Sequence, residues 1–475
     1  MASEKAIKNG SSPAGKAKGR MDLTPLFRPK SMAVIGVSLN NERHPANVIY
    51  NKNNLRQQVK VFAVNERGGN LQGESVYPAV SAIPGKVDLA VIATRAESVP
   101  KVMADCLREG VGGAIVVSGG FAETGQVDLQ EKITAMAREA RFPFIGPNCL
   151  GVYAPPALDT FFIPGERIVR PEAGHVALIS QSGGVLIDHL IRFHAEGVGL
   201  SLAVSIGNKA LIREVDLLAY FAEDPETKVI AFYVEGFGEG EGREFVLAAQ
   251  ECPKPVIVLK AGKTREGGRA VSSHTASIAG DYEVFHSVLE QFGIVEARSE
   301  QEMISLCEVL SCYRKGIGRR VGIISGSGGH AALAADLCAA YGLEAAAFPE
   351  SVAETLRGVV APSIQKIASF RNPVDLTGSA MDSDFIEVAR LLSRREDIDC
   401  LLFLLLPYLP GISSDLGARL SLVFRQEAKP MVAYVPHVEK YRMLIEGFQL
   451  NLLPVARSIE EAVQMASGLA RCRPC

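Results

Sequence analysis

HVALISQSGG (residues 175–184) joins an apolar, strand-forming run to a turn built from serine and glycine. RVGIISGSGG (residues 320–329) repeats the same order of residue types. A helical pattern of apolar residues follows each turn, so both stretches predict a buried strand, a tight turn and a helix. Two such units in one chain indicate two related doubly wound domains rather than a short-period repeat.

The same alternation of apolar runs and helical patterns continues through the chain and predicts parallel sheets covered by helices. The expected strands are Ser31–Ile35, Val59–Val64, Leu89–Ala93, Gly113–Val117, Phe144–Ile145, His175–Ile179, Leu200–Ser205, Val229–Tyr233, Pro255–Leu259, Val321–Ile324, Cys400–Leu405 and Met431–Tyr434. We therefore expect an α/β protein with a Rossmann-like domain over residues 21–151 and doubly wound domains over residues 172–300 and 318–470. A proline-rich connector follows the first domain, and residues 1–20 are predicted to be a disordered tail.

Composition excludes several classes of function. The 475 residues carry a formal net charge of -3, which offers no basic surface for nucleic acid. The apolar run at residues 401–410 is short and contains proline, so no membrane-spanning helix is expected. The nine cysteines lie mostly within apolar patterns, which is typical of reduced thiols in a cytoplasmic protein. Cys472 and Cys475 have CxxC spacing without a second pair, and no metal site is expected.

Both Ser-x-Ser-Gly-Gly turns are candidate phosphate sites. A turn between a parallel strand and a helix offers unpaired backbone N–H groups and the positive end of the helix dipole, and glycine lets a phosphate approach closely. The first candidate consists of Ser180, Gln181, Ser182, Gly183 and Gly184. The second consists of residues 325–329. For each, the alternative is a tight turn in which serine caps a helix and binds nothing.

The first domain has an incomplete dinucleotide fingerprint. The loop after its first strand is Gly36-Val-Ser38-Leu, not GxGxxG. Glu66 stands where NAD-binding proteins place a carboxylate for the ribose, but Arg67 and two glycines follow it directly. A guanidinium beside a flexible turn suits a phosphate better than a ribose hydroxyl. A nicotinamide-dependent oxidoreductase therefore stays an alternative but is not favoured.

His274 lies in the polar stretch Ser272-Ser-His-Thr-Ala-Ser277, after a basic, glycine-rich segment. Small hydroxyl neighbours leave a histidine open, which suits a group that accepts a phosphoryl and passes it on. Such a histidine needs a carboxylate to orient its ring, and Glu235 at the end of a predicted strand is the candidate. The alternative is a loop histidine without a catalytic task.

Together these motifs resemble the α subunit of the NDP-forming acyl-CoA synthetases, of the ADP-forming acetyl-CoA synthetase type, which are relatives of succinyl-CoA synthetase. The resemblance covers about residues 21–468. It is carried by AVIGVS (33–38), RGG (67–69), GPNCLG (146–151), SQSGG (180–184), GN (207–208), YVEG (233–236), SHT (273–275) and NPVDLTG (372–378). It implies a Rossmann-like CoA-binding domain followed by two flavodoxin-like domains.

The resemblance also implies a reaction. A nucleoside triphosphate phosphorylates a histidine, a carboxylic acid takes the phosphoryl group, and CoA displaces phosphate from the acyl phosphate. His274 would carry the phosphoryl group, Glu235 would hold and polarise it, and the loop Gln181–Gly184 would cradle it. Gly36, Ser38 and Arg67 would bind CoA, with Asn148 lining the same cleft.

The resemblance further implies a partner, because no ATP-grasp segment is recognisable in the sequence. ATP or ADP with Mg²⁺ would bind a β subunit with that fold, in an α2β2 assembly. The alternative is a regulatory protein that binds CoA or acyl-CoA and has no nucleotide site of its own. Arg95 and His330 depart from the family pattern, and either could read an anionic acyl group. The sequence does not identify the acid.

Overall fold

The computed structural model describes residues 20–56, 58–274, 281–313 and 316–472, and for residues 56 and 272–274 it describes the backbone alone. All but one residue of the predicted tail therefore lies outside the described residues. Three sheets follow one another along the chain, and their strands are mostly parallel. The predicted α/β class, with a Rossmann-like unit and two doubly wound units, is confirmed.

The first sheet has seven strands in the order β3-β4-β2-β1-β5-β6-β7. Its strands are β1 Ser31–Ile35, β2 Lys60–Val64, β3 Gly69–Leu71, β4 Glu74–Tyr77, β5 Leu89–Ile92, β6 Gly113–Val116 and β7 Phe144–Ile145. Its helices are α1 Thr24–Phe27, α2 Pro45–Arg56, α3 Val99–Arg108 and α4 Val127–Glu139. β1, β5 and β6 are buried along their whole length, as expected of parallel strands covered on both faces.

The second sheet also has seven strands, in the order β14-β13-β12-β10-β11-β8-β9. Its strands are β8 Gly151–Ala154, β9 Leu158–Asp159, β10 Ala173–Ser180, β11 Leu200–Ser205, β12 Val229–Val234, β13 Val256–Lys260 and β14 Val295–Ala297. Its helices are α5 Gly183–Ala195, α6 Glu214–Glu223, α7 Glu241–Gln250, α8 Arg265–His274, α9 Tyr282–Phe292 and α10 Glu300–Cys312. β10 lies at the centre, between β12 and β11.

The third sheet has five strands in the order β16-β15-β17-β18-β19. Its strands are β15 Val321–Ser325, β16 Val374–Asp375, β17 Cys400–Leu404, β18 Met431–Tyr434 and β19 Val455–Ala456. Its helices are α11 Gly328–Ala340, α12 Glu350–Val359, α13 Asp382–Ser393, α14 Leu416–Glu427, α15 Arg442–Gln449 and α16 Ile459–Arg471.

The three units share their hydrophobic cores at the junctions. One core runs from the first sheet into the face of the second sheet that α6 and α7 cover. Another joins the opposite face of the second sheet to the third, where α10 packs on α16. The carboxyl ends of β1 and β10 consequently lie in a continuous body rather than in separate modules.

The predicted strands all exist, with ends that differ by two residues at most. Sequence analysis missed the short and antiparallel ones. β3 pairs antiparallel with β4. Residues 151–159 supply β8, which pairs antiparallel with β11, and β9, which pairs antiparallel with β8 at the edge of the second sheet. These strands have two to four residues, too few to show an apolar period.

Within the part of the chain that the structure describes, no helix combines the length and the apolar character needed to cross a membrane.

Candidate functional site

A first cavity lies at the carboxyl edge of the first sheet and has a volume of about 740 Å³. Gly36, Ser38 and Arg67 all line it, as predicted for residues that share a site. Gly36 has a φ of 104°, and a Cβ there would lie 2.4 Å from the carbonyl oxygen of Ala93. Only glycine therefore fits this turn, and the loop runs close under the cavity.

Positive side chains outnumber carboxylates at the rim of the first cavity by four to two, and Arg108 pairs with the carboxylate of Asp105. Arg67, Arg95, Lys101 and Arg108 line it. Lys101 pairs with Glu66 at 3.1 Å across the opening, and both side chains are largely exposed. The Ser38 hydroxyl accepts hydrogen bonds from two backbone N–H groups of its own turn. Such a rim suits a ligand with several phosphates.

The second cavity, of about 700 Å³, lies at the carboxyl ends of β10, β11 and β12, next to the loop between β7 and β8. The predicted residues that line it are Asn148, Gln181, Ser182, Gly183, Gly184 and Glu235. Phe162, Ile163 and Ile187 add an apolar wall. The predicted phosphate loop and the predicted carboxylate thus meet in one cavity.

Asn148 was expected in the same cleft as Ser38 and Arg67; in the structure it lines the second cavity and not the first. Hydrogen bonds through Ser118 nevertheless connect the linings of the two cavities. Ser118 Oγ accepts from the Thr94 N–H at 3.1 Å, and Ser118 O accepts from the Asn148 N–H at 2.9 Å. The first cavity lies at the carboxyl edge of the first sheet, and the second lies at the carboxyl edge of the second sheet beside the loop that leaves β7; ligands of such folds bind at these edges.

The Ser180–Gly184 loop is organised by its two serines. The fully buried Ser180 hydroxyl donates to the Ser182 carbonyl at 2.6 Å and accepts from the Ser182 N–H at 3.1 Å. Ser182 caps α5 by accepting from the Val185 N–H at 3.4 Å. Gly183 and Gly184 begin the helix, where the first N–H groups have no partner within the helix. Ser180 shapes the loop without lining the cavity, whereas Gly183 and Gly184 line it with the N-terminus of α5.

The side-chain amide of Gln181 makes all its hydrogen bonds within the protein. Its Oε1 accepts from the backbone N–H groups of Glu235 at 2.6 Å and Gly236 at 3.0 Å. Its Nε2 donates to Glu214 and to the Gly236 carbonyl, the latter at 2.8 Å. The side chain of Gln181 therefore ties the loop to the end of β12. Its backbone N–H donates to the Tyr233 carbonyl at 3.3 Å, so Gln181 is occupied by contacts within the protein.

Asn148 belongs to a polar junction between the first two domains. Its Nδ2 donates to Asn208 Oδ1 at 3.3 Å, and Asn208 Nδ2 donates to Glu123 at 2.5 Å and to Gln130 at 2.9 Å. Burial acts to raise the pKa of Glu123, but hydrogen bonds from Asn208 and from backbone N–H groups outweigh it and lower that pKa. A Cβ at Gly207 would lie 2.4 Å from the Pro147 carbonyl oxygen, so this position admits only glycine.

His274 is the last residue of α8, and its side chain lies outside the described residues. Ala270 and Val271 of the same helix line the second cavity. The helix that carries His274 therefore borders the cavity that contains Glu235.

The second Ser-x-Ser-Gly-Gly loop has a different environment. Asp375, at the end of β16, accepts from the Thr377 N–H at 2.9 Å, and its Oδ2 would lie 2.9 Å from a Cβ added at Gly328. A carboxylate of the chain therefore already lies against the N-terminus of α11. The second candidate phosphate site is not supported.

Arg95 and His330 do not share a site. Arg95 lines the first cavity, whereas His330 lies on α11, hydrogen-bonded to Ser327 at 3.1 Å and stacked on Tyr434. Neither lines the second cavity. Their positions give no support to a shared role in reading an acyl group there.

Two family models match the chain. A CoA binding domain matches residues 30–155, and a succinyl-CoA ligase like flavodoxin domain matches residues 173–310. Among curated proteins, subunit alpha of acetate–CoA ligase (ADP-forming) II from Pyrococcus furiosus is 35% identical over 381 residues, which cover 79% of this chain and 80% of that protein. The chain belongs to the α-subunit family of the ADP-forming acyl-CoA ligases.

Further relatives agree with this membership. Acetate–CoA ligase (ADP-forming) I of Archaeoglobus fulgidus is 37% identical over 80% of this chain, and the match spans 54% of that longer protein. The solved structure of acetyl-coenzyme A synthetase 1 from Ca. Korarchaeum cryptofilum, in complex with phosphate and ADP, has a TM-score of 0.85 and 32% identity. The structural match covers 95% of this chain and 96% of the chain from Ca. Korarchaeum cryptofilum. The resemblance read from the sequence is confirmed at the level of the family.

Sequence reasoning assigned no role to four polar residues near the second cavity: Lys209, Glu214, Lys260 and Asn208. All four lie at or just beyond the carboxyl ends of strands, or at the start of the next helix. That location was a usable signal, because side chains there meet at one sheet edge. A single sequence does not show that Glu214 contacts Gln181, because the two residues follow different strands, β10 and β11, whose pairing arises only in the folded sheet.

Proposed function

We propose that this chain is the α subunit of an ADP-forming acyl-CoA synthetase, which catalyses acid + CoA + ATP ⇌ acyl-CoA + ADP + phosphate. One observation carries the proposal: the helix N-terminus of α5, the Glu235 carboxylate and the helix that ends at His274 all border the second cavity. The first cavity, with its positive rim, reaches the same sheet edge and suits the phosphates of CoA.

His274 takes the phosphoryl group from ATP and releases ADP in the first step that we propose. The substrate carboxylate then attacks phosphorus, which forms an acyl phosphate and regenerates the imidazole. In the last step the CoA thiolate attacks the acyl carbon and phosphate leaves. Position 274 follows Val271 by one helical turn, which supports its access to the cavity. Backbone N–H groups at Gly183 and Gly184 stabilise the phosphate.

Glu235 orients and polarises the imidazole in this scheme. A carboxylate that accepts a hydrogen bond from one ring nitrogen leaves the other as the nucleophile. Gln181 holds the backbone at Glu235, which supports a fixed position for the carboxylate. In the described lining of the second cavity, Glu235 is the sole charged side chain, and this favours an acid whose tail carries no second carboxylate.

The nucleotide end of the reaction is assigned to a partner. Several relatives are named alpha subunits, which implies another subunit in those proteins. We propose a β subunit with an ATP-grasp fold that binds ATP or ADP with Mg²⁺, in an α2β2 assembly. The eight described cysteines are free, which supports a reducing compartment, the cytoplasm.

The test follows a radiolabelled phosphoryl group. The purified chain is incubated with labelled acetyl phosphate, and in parallel with its partner subunit and γ-labelled ATP. We expect acid-labile, base-stable label on the protein, as for phosphohistidine, and its discharge by acid plus CoA. His274→Ala should abolish the label, while the control Asp375→Asn in the third domain should keep it.

A label that survives His274→Ala would overturn the ligase mechanism. The alternative, a protein that senses CoA or acyl-CoA without chemistry, predicts CoA binding with no label in either incubation. Calorimetric titration with CoA on the same samples separates these outcomes.

A further inference from the structure

The carboxyl end of β12 is held by side chains from other segments. Gln181 Oε1 accepts hydrogen bonds from the N–H groups of both Glu235 and Gly236. The Glu235 carbonyl accepts from Lys260 Nζ at 2.7 Å. The Gly236 carbonyl accepts from Gln181 Nε2 at 2.8 Å and from Lys209 Nζ at 3.2 Å. All four backbone polar groups of this dipeptide therefore contact side chains, which come from three separate strand ends.

Glu214 determines which way the Gln181 amide faces. Its carboxylate is 2% exposed and accepts a hydrogen bond from Gln181 Nε2. A carboxylate can only accept, so the donor end of the amide must face it. Oε1 is then directed at the two N–H groups of β12. A flipped amide would set oxygen against the carboxylate and an N–H against two N–H donors, which costs several hydrogen bonds in a buried place.

Lys209 balances the charge of this buried carboxylate. Its Nζ lies 3.1 Å from Glu214 Oε1 and 3.0 Å from Glu241 Oε2. The turn after β11 presents Lys209 with a left-handed backbone, φ 44°, which aims the side chain under Gly236. An unpaired buried carboxylate would be costly, so the pair and the Gln181 contact depend on each other.

Lys260 completes the arrangement from the other side. It is 7% exposed, at the end of β13, and donates to the carbonyls of Glu235 and Ala261. Burial lowers the pKa of Lys260, and the nearby Glu235 acts against that change. The ammonium therefore interacts with both the backbone and the charge of Glu235.

We propose that Gln181, Lys209, Glu214 and Lys260, here named the Glu235 clamp, position the Glu235 carboxylate for the phosphohistidine step. The inference rests on the proposed function, because Glu235 has that task only if His274 is phosphorylated. The clamp residues act through Glu235, so Lys209, Glu214 and Lys260 are positioning residues. A displacement of about 1 Å at a catalytic group costs on the order of 100-fold in rate.

The experiment compares Glu214→Gln with Glu241→Gln in the full chain assembled with its partner. Both variants remove one carboxylate that pairs with Lys209, but only the first touches Gln181. The readouts are the rate of His274 labelling by acetyl phosphate, its pH profile, the KM for CoA and thermal unfolding. For Glu214→Gln we expect labelling slowed about 10- to 100-fold, an altered acidic limb of the pH profile and an unchanged KM for CoA.

Glu241→Gln should label within about twofold of the unchanged protein. Gln181→Leu serves as the second variant if Glu214→Gln does not fold, and it should slow labelling by at least as much. Labelling at the original rate in either folded clamp variant overturns the inference. Absence of label in the unchanged protein overturns the proposed function instead, so the two failures are distinguishable.

Discussion

The two Ser-x-Ser-Gly-Gly loops share the hydrogen bonds between their two serines and have different neighbours. In each, the first serine donates to the carbonyl of the second and accepts from its N–H, with Ser180 and Ser182 in one and Ser325 and Ser327 in the other. A 13-residue helix begins at the next glycine in both. Local sequence therefore produces the same turn twice, and the turn alone does not make a site.

The residue between the serines accounts for much of the difference. Gln181 reaches the neighbouring strand and ties Glu235 to the loop. Gly326 has no side chain to do so, and a Cβ there would lie 2.7 Å from Leu409 Cδ1. Each loop has a carboxylate at the end of a strand that neighbours its own strand. Glu235, after β12, lines a cavity, whereas Asp375, the last residue of β16, lies against the N-terminus of α11. The Ser180–Gly184 loop therefore borders a cavity, whereas the loop at residues 325–329 has the Asp375 carboxylate beside it.

The largest expected effect comes from replacing each of the two carboxylates beside the loops, Glu235 and Asp375, with an amide. Glu235→Gln should slow the acyl-CoA synthetase reaction by about 100- to 1000-fold, because the imidazole loses its charged partner. Asp375→Asn should leave the rate unchanged and lower the free energy of unfolding by about 1 kcal/mol, through the weaker helix-terminal interaction. Steady-state rates and urea unfolding of both variants measure this. Equal losses of rate would erase the distinction between the loops.

A smaller effect concerns the helices behind the loops. His189, the seventh residue of α5, is fully buried, and neither ring nitrogen has a hydrogen-bond partner among the described residues. The corresponding position in α11 is the buried Ala334. Burial, and secondarily Arg192, lowers the pKa of His189 to about 4. Its pKa in the unfolded chain is about 6.5, so folding releases a proton between these values.

The direction of the change in stability with pH follows from this proton release. Stability contributed by neutral His189 is complete above about pH 6.5 and is lost as the pH falls toward 4, by about 1–3 kcal/mol. His189→Leu should therefore flatten the acid side of the unfolding profile, whereas Ala334→Leu in α11 should not change its slope. Denaturant unfolding from pH 4 to 7.5 measures both, and an unchanged slope in His189→Leu would contradict the assignment.

The smallest effect tests the glycines that begin the two helices. Gly328→Ala should lower the free energy of unfolding by about 1 kcal/mol, because the new Cβ would lie 2.9 Å from Asp375 Oδ2. Gly183→Ala should leave stability within about 0.5 kcal/mol, since its nearest neighbour is Leu150 Cβ at 3.4 Å. Thermal and urea unfolding of the pair provide the measurement, and a larger loss in Gly183→Ala would reverse the comparison.

Sequence analysis predicted the elements that have a clear apolar period. β1, β7, β11 and β18 have the predicted ends, because buried parallel strands are continuous apolar runs. β8 and β9 were missed, because strands of four and two residues are too short to show an apolar period. The site was partly predictable as well: the Ser180–Gly184 loop and Glu235 meet in one cavity, whereas Asn148 lies in the second cavity and not with Ser38.

The order of residues along the chain was sufficient for the α/β class, both Ser-x-Ser-Gly-Gly turns and the membership in a ligase family, because each depends on local patterns or on motifs in series. Which of the two loops is open to a ligand depended on the packed structure. Gln181, Lys209, Glu214 and Lys260 come from three segments, which follow β10, β11 and β13, and they converge on Glu235 because these strands and β12 are adjacent in the sheet. Strand order is a property of the folded sheet, and the contacts across it arise only there.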